Sequence, residues 1–326
     1  MVLGKNTLLG KLWLVLLISA MALPLAAFSA TAADYPDKPI EMVAWASAGG
    51  GSDLMCRTFA KAAEGVFPQP IYVVNKPGGG GAVGMAYVQG KPADGYTLLG
   101  VTNNLVFTPL TKPDLNYDAK DFTPIIMWGF DAKCVAVSAD GPYKTIEDFV
   151  KAAKENPGKI KIGTFGLGTD DHIVGILLGK AAGVEFGYVP FDSGGEQTAA
   201  LLGGHIAAQI TEVNEVSAQV EAGKIRIIAV ATDKRLEGLP DVPTMTEKGW
   251  DVVVPKFRGL MVKKGTPEPI VQYLITHSLE TVKTPIFKDY LKKNLIEPSY
   301  ATGEEFGNIV MKQQEQFGAI LKELGF

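Results

Sequence analysis

Four glycine-rich stretches hold the residues best suited to chemistry in this 326-residue chain: AWASAGGGSD (Ala44 to Asp53), NKPGGGGAVG (Asn75 to Gly84), FGLGTDD (Phe165 to Asp171) and DSGGE (Asp192 to Glu196). Each follows an apolar run and opens a helix-like segment. Glycine lets the backbone take positive φ and approach a ligand closely. A helix start exposes unpaired N–H groups at the positive end of its dipole. Together these features bind an anion without a lysine or arginine. The chemistry expected is therefore anion capture by main-chain amides.

Other chemistries fit poorly. Gly79, Gly81 and Gly84 satisfy G-x-G-x-x-G, but a dinucleotide turn follows the first strand of its unit and has an acid at the end of the next strand. Here the turn follows the second strand, and the next ends in LLGVTNN. The chain has no G-x-S-x-G elbow and no glycine loop closed by G-K-[ST]. Two cysteines and three scattered histidines make no zinc set, so neither a metal nor a cofactor is expected. Cys56 and Cys134 read as buried, small apolar residues rather than a disulfide. His172 with Asp170 or Glu196 is the sole acid–base candidate. Asp170 and Asp171 are adjacent, so their side chains should diverge and serve as helix N-terminal caps.

The elements that must position these turns alternate strand and helix. IEMVAWA, IYVVN, YTLLGVT, FTPIIMW and CVAVSA read as strands of a first series; KIKIGT, EFGYVPF, IAAQIT and IRIIAVAT read as a second. Between them lie helical patterns, among them TIEDFVKAAKENP with Thr145 and Asp148 as a box-like start. FRGLMVKKGTP reads as a crossing strand, and two or three helices close the chain. Alternation of this kind predicts mostly parallel sheets with helices on their faces. Two series with two crossings predict an α/β fold of two lobes with a cleft between them. The lobes should span 34–128 with 252–326, and 129–251. Ligands in such sheets bind at the carboxyl ends of strands, where all the glycine turns fall.

The N-terminus is a separate object. Lys5 and Lys11 precede LWLVLLISAMALPLAAF, and small residues follow, in the order of a secretory signal cut near Ala32. Residues 1–32 are thus expected to be removed on export to the periplasm. The remaining chain carries 29 lysines and arginines against 35 acids, a formal charge of −6. That argues against a nucleic-acid partner and requires any anion site to be local.

At this point the residues resemble a known family. YPDKPIEMVAWASAGGGSDLMCRTFA, VVNKPGGGGAVGMAYV and KPADGYTLLGVTNN, then DFTPIIMWG, GTFGLGTDDHIVGILLGKAAG, YVPFDSGGEQTAALLGGHIAA and IRIIAVATDKRLEGLPDVPTMTEKGW, are similar in order to the tripartite tricarboxylate transporter receptors, the Bug family. The resemblance implies a periplasmic substrate-binding protein with the two-lobed type II fold, a monomer rather than an enzyme. It would deliver a small carboxylate to the integral-membrane permease subunits of its transporter.

By position, the resemblance implies a ligand held in the first lobe by Ser47, Gly50, Gly51 and Ser52, by Gly80, Gly81 and Ala82, and by Thr102 and Asn103. The second lobe would supply Gly166, Gly168, Thr169, Asp170 and His172, then Phe191, Ser193, Gly194 and Gly195, and Glu212 or Asn214. Several positions depart from the family's pattern. The first turn reads AWASA instead of proline-aromatic. The second-lobe turn has lost its tyrosine and lysine and gained Asp192. Arg258 stands where an uncharged aromatic is common, either facing a second ligand carboxylate or lying at the surface of the hinge. Lys133 invites the same reading. Trp45, Phe165 and Phe191 are candidates to line an apolar pocket. An exported α/β enzyme acting on carboxylates and a ligand sensor for a membrane kinase are the alternatives.

Overall fold

The computed structural model describes residues 35–326 apart from Pro113, Asp192, Leu324 and Phe326. The expected signal segment and Asp192 therefore lie outside the described residues.

The first lobe is built on a six-stranded sheet. β1 (Ile40–Ala44), β2 (Ile71–Asn75) and β3 (Thr97–Val101) are mutually parallel about β1, with Ile40 opposite Ile71 and Met42 opposite Leu98. β1 and β3 are buried throughout, which is why they read as unbroken apolar runs. α1 (Gly51–Ala62), α2 (Ala82–Gln89) and α3 (Asn104–Thr111) leave the carboxyl ends of these strands. β4 (Phe122–Asp131), β10 (Lys256–Lys263) and β11 (Ile296–Thr302) complete the sheet in the order β11-β4-β10-β3-β1-β2.

The second lobe has five strands in the order β7-β6-β8-β5-β9. These are β5 (Lys133–Ser138), β6 (Lys161–Thr164), β7 (Gly187–Pro190), β8 (Ala208–Glu212) and β9 (Ile225–Val230). α4 (Ile146–Glu155), α5 (Asp170–Ala182), α6 (Gly194–Leu202) and α7 (Val213–Glu221) connect them. The box at the start of α4 is formed: Asp148 N–H donates to Thr145 Oγ1 at 3.1 Å, and Thr145 N–H to Asp148 Oδ2 at 3.1 Å.

The two-lobed α/β architecture is as expected, but both sheets are mixed rather than mostly parallel. Parallel pairing is confined to β1, β2 and β3 and to β6, β7 and β8; β10 pairs antiparallel with β3 and β4, and β5 antiparallel with β8 and β9. The reason is the crossing. A strand entering from the other lobe runs against the local series. β4 carries the first sheet to Asp131, past the boundary expected at 128, and only Ala132 separates it from β5. The second crossing lies beside the first, with Ala231 N–H donating to the Lys133 carbonyl at 2.8 Å.

Two elements escaped the sequence reading. α3 contains Pro109, and β11 reads IEPSYAT, with Pro298 and no apolar alternation. β11 forms because β4 offers it an edge. Gly129 of β4 meets it so closely that a Cβ there would stand 2.6 Å from the Glu297 carbonyl oxygen.

α8 (Glu268–Thr281), α9 (Pro285–Lys293) and α10 (Gly303–Glu323) return to the first lobe. The contacts are aromatic. Phe59 of α1 stacks on Trp128 of β4 at 5.6 Å, and Phe287 of α9 meets both edge-on. Phe317 of α10 stacks on Phe107 of α3 at 4.7 Å. Such pairs add about 1 kcal/mol each to the burial of their apolar area. In the second lobe, Phe149 stacks on Phe186 at 5.3 Å. Cys56 and Cys134 are both free and buried, and burial pushes the Cys56 thiol up to about 12.

Candidate functional site

The glycine turns stand where sequence placed them, at carboxyl strand ends, but they are not equivalent. The first is the most open. Gly50 N–H donates to the Ser47 carbonyl at 3.0 Å, and the first intrahelical bond runs from Leu54 N–H to Gly50. No side chain caps α1, so the N–H groups of Gly51, Ser52 and Asp53 precede any helical partner. Asp53 fixes the turn's shape. Its carboxylate accepts from Gly49 N–H at 2.9 Å, from Arg57 Nε at 3.0 Å and from Asn75 Nδ2 at 2.8 Å. Burial opposes its charge, yet these hydrogen bonds hold its carboxyl below the usual range. Asn75 also donates to the Ala46 carbonyl at 2.9 Å, tying the first two glycine turns together.

The second turn is closed on itself. Gly79–Gly81 form a single 3-10 turn with φ of 62°, 69° and 104°. Gly81 N–H donates to Gly78 at 3.2 Å, and Ala82 N–H to Gly79. The Gly80 carbonyl is gripped by Asn104 Nδ2 at 2.9 Å and Thr108 Oγ1 at 2.6 Å, and the Gly79 carbonyl by Lys112. The amides of Gly81 and Ala82, expected to reach a ligand, are thus used within the turn. Four successive glycines are needed here because positive φ persists from Gly78 to Gly81.

Unsatisfied polar atoms gather around the first turn. Thr102 Oγ1 and Trp45 Nε1 are buried without a hydrogen-bond partner, and Ser52 Oγ has only the soft Cys56 sulfur beside it. Thr102 and Ser52 are at least nine-tenths buried. Buried polar groups are nearly always paired, so such a cluster points to a ligand or bound water. Trp45, Gly81 and Thr102 line one small cavity of about 10 Å³, at the threshold for a single water. Asn103 does something else. Its Nδ2 donates to the Pro255 carbonyl at 3.1 Å, and its Oδ1 accepts from Phe257 N–H at 3.0 Å. It clasps the returning strand instead of offering itself to a ligand.

In the second lobe, Gly166 and Gly168 have φ of 83° and 77°, and Thr169 does not cap α5. His172 Nδ1 accepts from Gly168 N–H at 3.0 Å, and its ring packs edge-on against Tyr188 at 4.5 Å. Burial lowers its pKa, so the ring is neutral and holds the turn. Asp170 and Asp171 do not diverge. Both turn to Lys133 Nζ, at 3.2 Å and 2.5 Å, because that ammonium is almost wholly buried beneath them. The fourth turn is self-capped: Ser193 Oγ accepts from Glu196 N–H at 3.2 Å at the start of α6. Gly194 and Gly195 begin that helix, and Phe191 packs under it beside Gly163. Asn214 Oδ1 is buried and unpartnered at the start of α7.

The cations at the crossing are all engaged. Arg258 is buried rather than at the surface. Its Nε meets both oxygens of Asp131, at 2.9 and 3.1 Å, and Nη1 reaches the Gly51 carbonyl at 3.5 Å. A β-bulge between Arg258 and Gly259 re-aims the side chain. Lys133 is held by Asp170, Asp171 and Glu212. Glu212, on β8, also accepts from Lys256 Nζ at 2.6 Å. Burial would raise the Glu212 carboxyl; Lys133 and Lys256 outweigh it and hold it well below the usual range. Sequence reasoning missed Asp53, Asn75 and Asp131, whose only signal was an acid or amide in a first helical turn or at a strand end.

Comparison with known proteins agrees with this architecture. The sequence matches the tripartite tricarboxylate transporter family receptor, TctC, over residues 55–326. It is 34% identical over 307 residues to a Cupriavidus necator protein described as the UPF0065 protein in gbd 5'region, covering 93% of each chain. The fold is similar to a TctC solute-binding protein from Polaromonas, at 33% identity and TM-score 0.80 over 89% of this chain and 99% of that one. It is also similar to Rpa4515 of R. palustris, solved with adipate, at 25% identity and TM-score 0.77 over 90% of this chain and 99% of that one. The chain therefore belongs to the tripartite tricarboxylate transporter receptor family, whose members are periplasmic solute-binding proteins rather than enzymes.

Proposed function

We propose that the chain captures a small organic acid between its lobes and delivers it to the membrane permease of a tripartite transporter after its N-terminal signal is removed. The observation that carries this reading is the uncapped start of α1. Three amides, at Gly51, Ser52 and Asp53, precede any helical partner, and the orphan hydroxyls of Ser52 and Thr102 lie at the same end of the sheet. A carboxylate there is stabilised by the amides and the helix dipole. A similar structure, Rpa4515 of R. palustris, was solved with adipate, an organic acid. Gly50, Gly51, Ser52, Thr102 and Trp45 form the first-lobe half of the site, and Thr169, Gly195 and Asn214 the second-lobe half. On this reading the lobes are 35–131 with 252–326, and 133–251.

A thermal-shift screen of the chain with organic acids and their uncharged amides tests this. At ligand a hundredfold above its Kd, stabilisation is about 2.7 kcal/mol. A shift with an acid and none with its amide supports the reading; equal shifts with both would sink it.

A further inference from the structure

We infer that the second lobe reads a hydrogen-bond donor rather than a second carboxylate, and that Glu215 is the specificity-determining residue. This rests on the receptor reading above and names its substrate class. The ligand carries one carboxylate for the start of α1 and, at its other end, a hydroxyl or ammonium group.

The two lobes differ in what meets their helix starts. In the first lobe, the acid nearest the start of α1 is Asp53, already bound by Gly49, Arg57 and Asn75. In the second lobe, each helix start is faced by a carboxylate of the protein. Asp170 and Asp171 occupy the first turn of α5. Glu215, on the first turn of α7, reaches the start of α6: a Cβ built on Gly194 would lie 3.1 Å from Glu215 Oε2. The turn's own capping need is met by Ser193.

Glu215 differs from the other acids in this region. Asp131, Asp171 and Glu212 are each bound by a buried cation. Glu215 reaches solvent as a residue, but its carboxyl is largely enclosed by protein, and Oε2 accepts a hydrogen bond from Thr211 Oγ1. The charged groups acting on it are Glu212, Asp171 and Lys256, and Lys256 is already given to Glu212. Protein surrounding the carboxyl and the Glu212 charge push it up to about 7.

Among the described residues, each cation at the crossing already pairs with an acid of the protein. Lys133 and Lys256 are bound to acids and Arg258 to Asp131. His172 is neutral, its Nδ1 occupied by Gly168. Above pH 7, where Glu215 is ionised, a dicarboxylate spanning the lobes would place its far anion against it, and like charges so juxtaposed are selected against. A hydroxyl or ammonium in that place donates to the Glu215 carboxylate.

The test is calorimetric titration of the chain and of Glu215→Gln with short dicarboxylates and with the ω-hydroxy and ω-amino monocarboxylates of the same length. The melting temperature of the unliganded variant verifies its folding. The expected result is a donor-bearing monocarboxylate that binds the wild type at least about tenfold tighter than the matched dicarboxylate, with the preference falling below about threefold in Glu215→Gln. A wild type that binds the dicarboxylate equally well, or a preference that the variant retains, overturns the inference and leaves the receptor reading standing. A chain that binds no acid of the panel overturns both.

Discussion

Glu212 Oε1 lies 2.7 Å from Lys133 Nζ and 2.6 Å from Lys256 Nζ, so one carboxylate of the second sheet holds both crossings at once. Lys133 opens β5 just after the chain leaves the first lobe, and Lys256 opens β10 as it returns. Glu212 ends β8, between them in space though distant in sequence. The ion pairs at the crossing therefore serve geometry first.

Glu212→Gln should lower stability at pH 7 by about 3 kcal/mol, because it leaves two buried ammonium groups without their shared partner. The folded carboxyl lies well below its ordinary value of 4.5. Its contribution is present above that value and lost as pH falls through the folded one. Urea unfolding of wild type and variant across a pH series should show the gap narrowing below pH 4.5. A gap constant down to the acid limit would refute the assignment. Asp171 has the opposite sign. Burial and the charges of Asp170 and Glu212 push it up to about 6, against the pull of Lys133. Its contribution is complete below about 3.8 and lost as pH rises through 6.

Arg258→Met should cost about 3 kcal/mol or more, since Asp131 is then a buried carboxylate without its cation. The companion change Asp131→Leu in the same chain should recover most of the loss, because two apolar groups leave no charge stranded. Chemical denaturation of the single and double variants measures this directly. A double variant weaker than either single would show that the pair does more than neutralise itself.

Ser52→Ala and Thr102→Val should behave differently. Each removes a buried hydroxyl that has no protein oxygen or nitrogen partner, so stability should change by less than about 1 kcal/mol. Affinity for the captured acid should fall about tenfold if the hydroxyl bonds it. Titration of each variant with any acid that shifts the wild type checks the point. Unchanged affinity would move the ligand away from the α1 start.

Gly81→Ala forces a side chain to φ of 104°, though the nearest atom to the new Cβ would be Met85 Cε at 3.5 Å. Space is adequate, and conformation is the obstacle. The variant should lose about 1–2 kcal/mol, and with it the grip of α3 on the turn. A melting temperature equal to wild type would mean the turn relaxes freely.

Much of this was legible in the residues. Strands buried on both faces, such as IEMVA and TLLGV, and the capped helix at Thr145 announce themselves through local pattern. The glycine turns did so through composition. What they do was not legible. Four glycines at 78–81 look like a cradle, yet the amides of Gly81 and Ala82 bond carbonyls of the same turn, and Asn104 and Thr108 from α3 hold the Gly80 carbonyl. Arg258 and Lys133 look available in one dimension and are committed in three. Their partners Asp131, Asp171 and Glu212 come from different strands and helices, and no spacing rule brings those together. β11 was invisible because its stability belongs to the edge of β4 rather than to its own residues.

The junction Asp131-Ala132-Lys133 has a mechanical consequence. Its outer residues are pinned in opposite directions, Asp131 by Arg258 and Lys133 by the acids of the second lobe. Any swing of one lobe against the other must then be absorbed by the two torsions of Ala132 and by the 231–255 connection alongside it. In a receptor that closes by hinge motion, stiffness at such a pivot limits how far the lobes part and how quickly a ligand leaves.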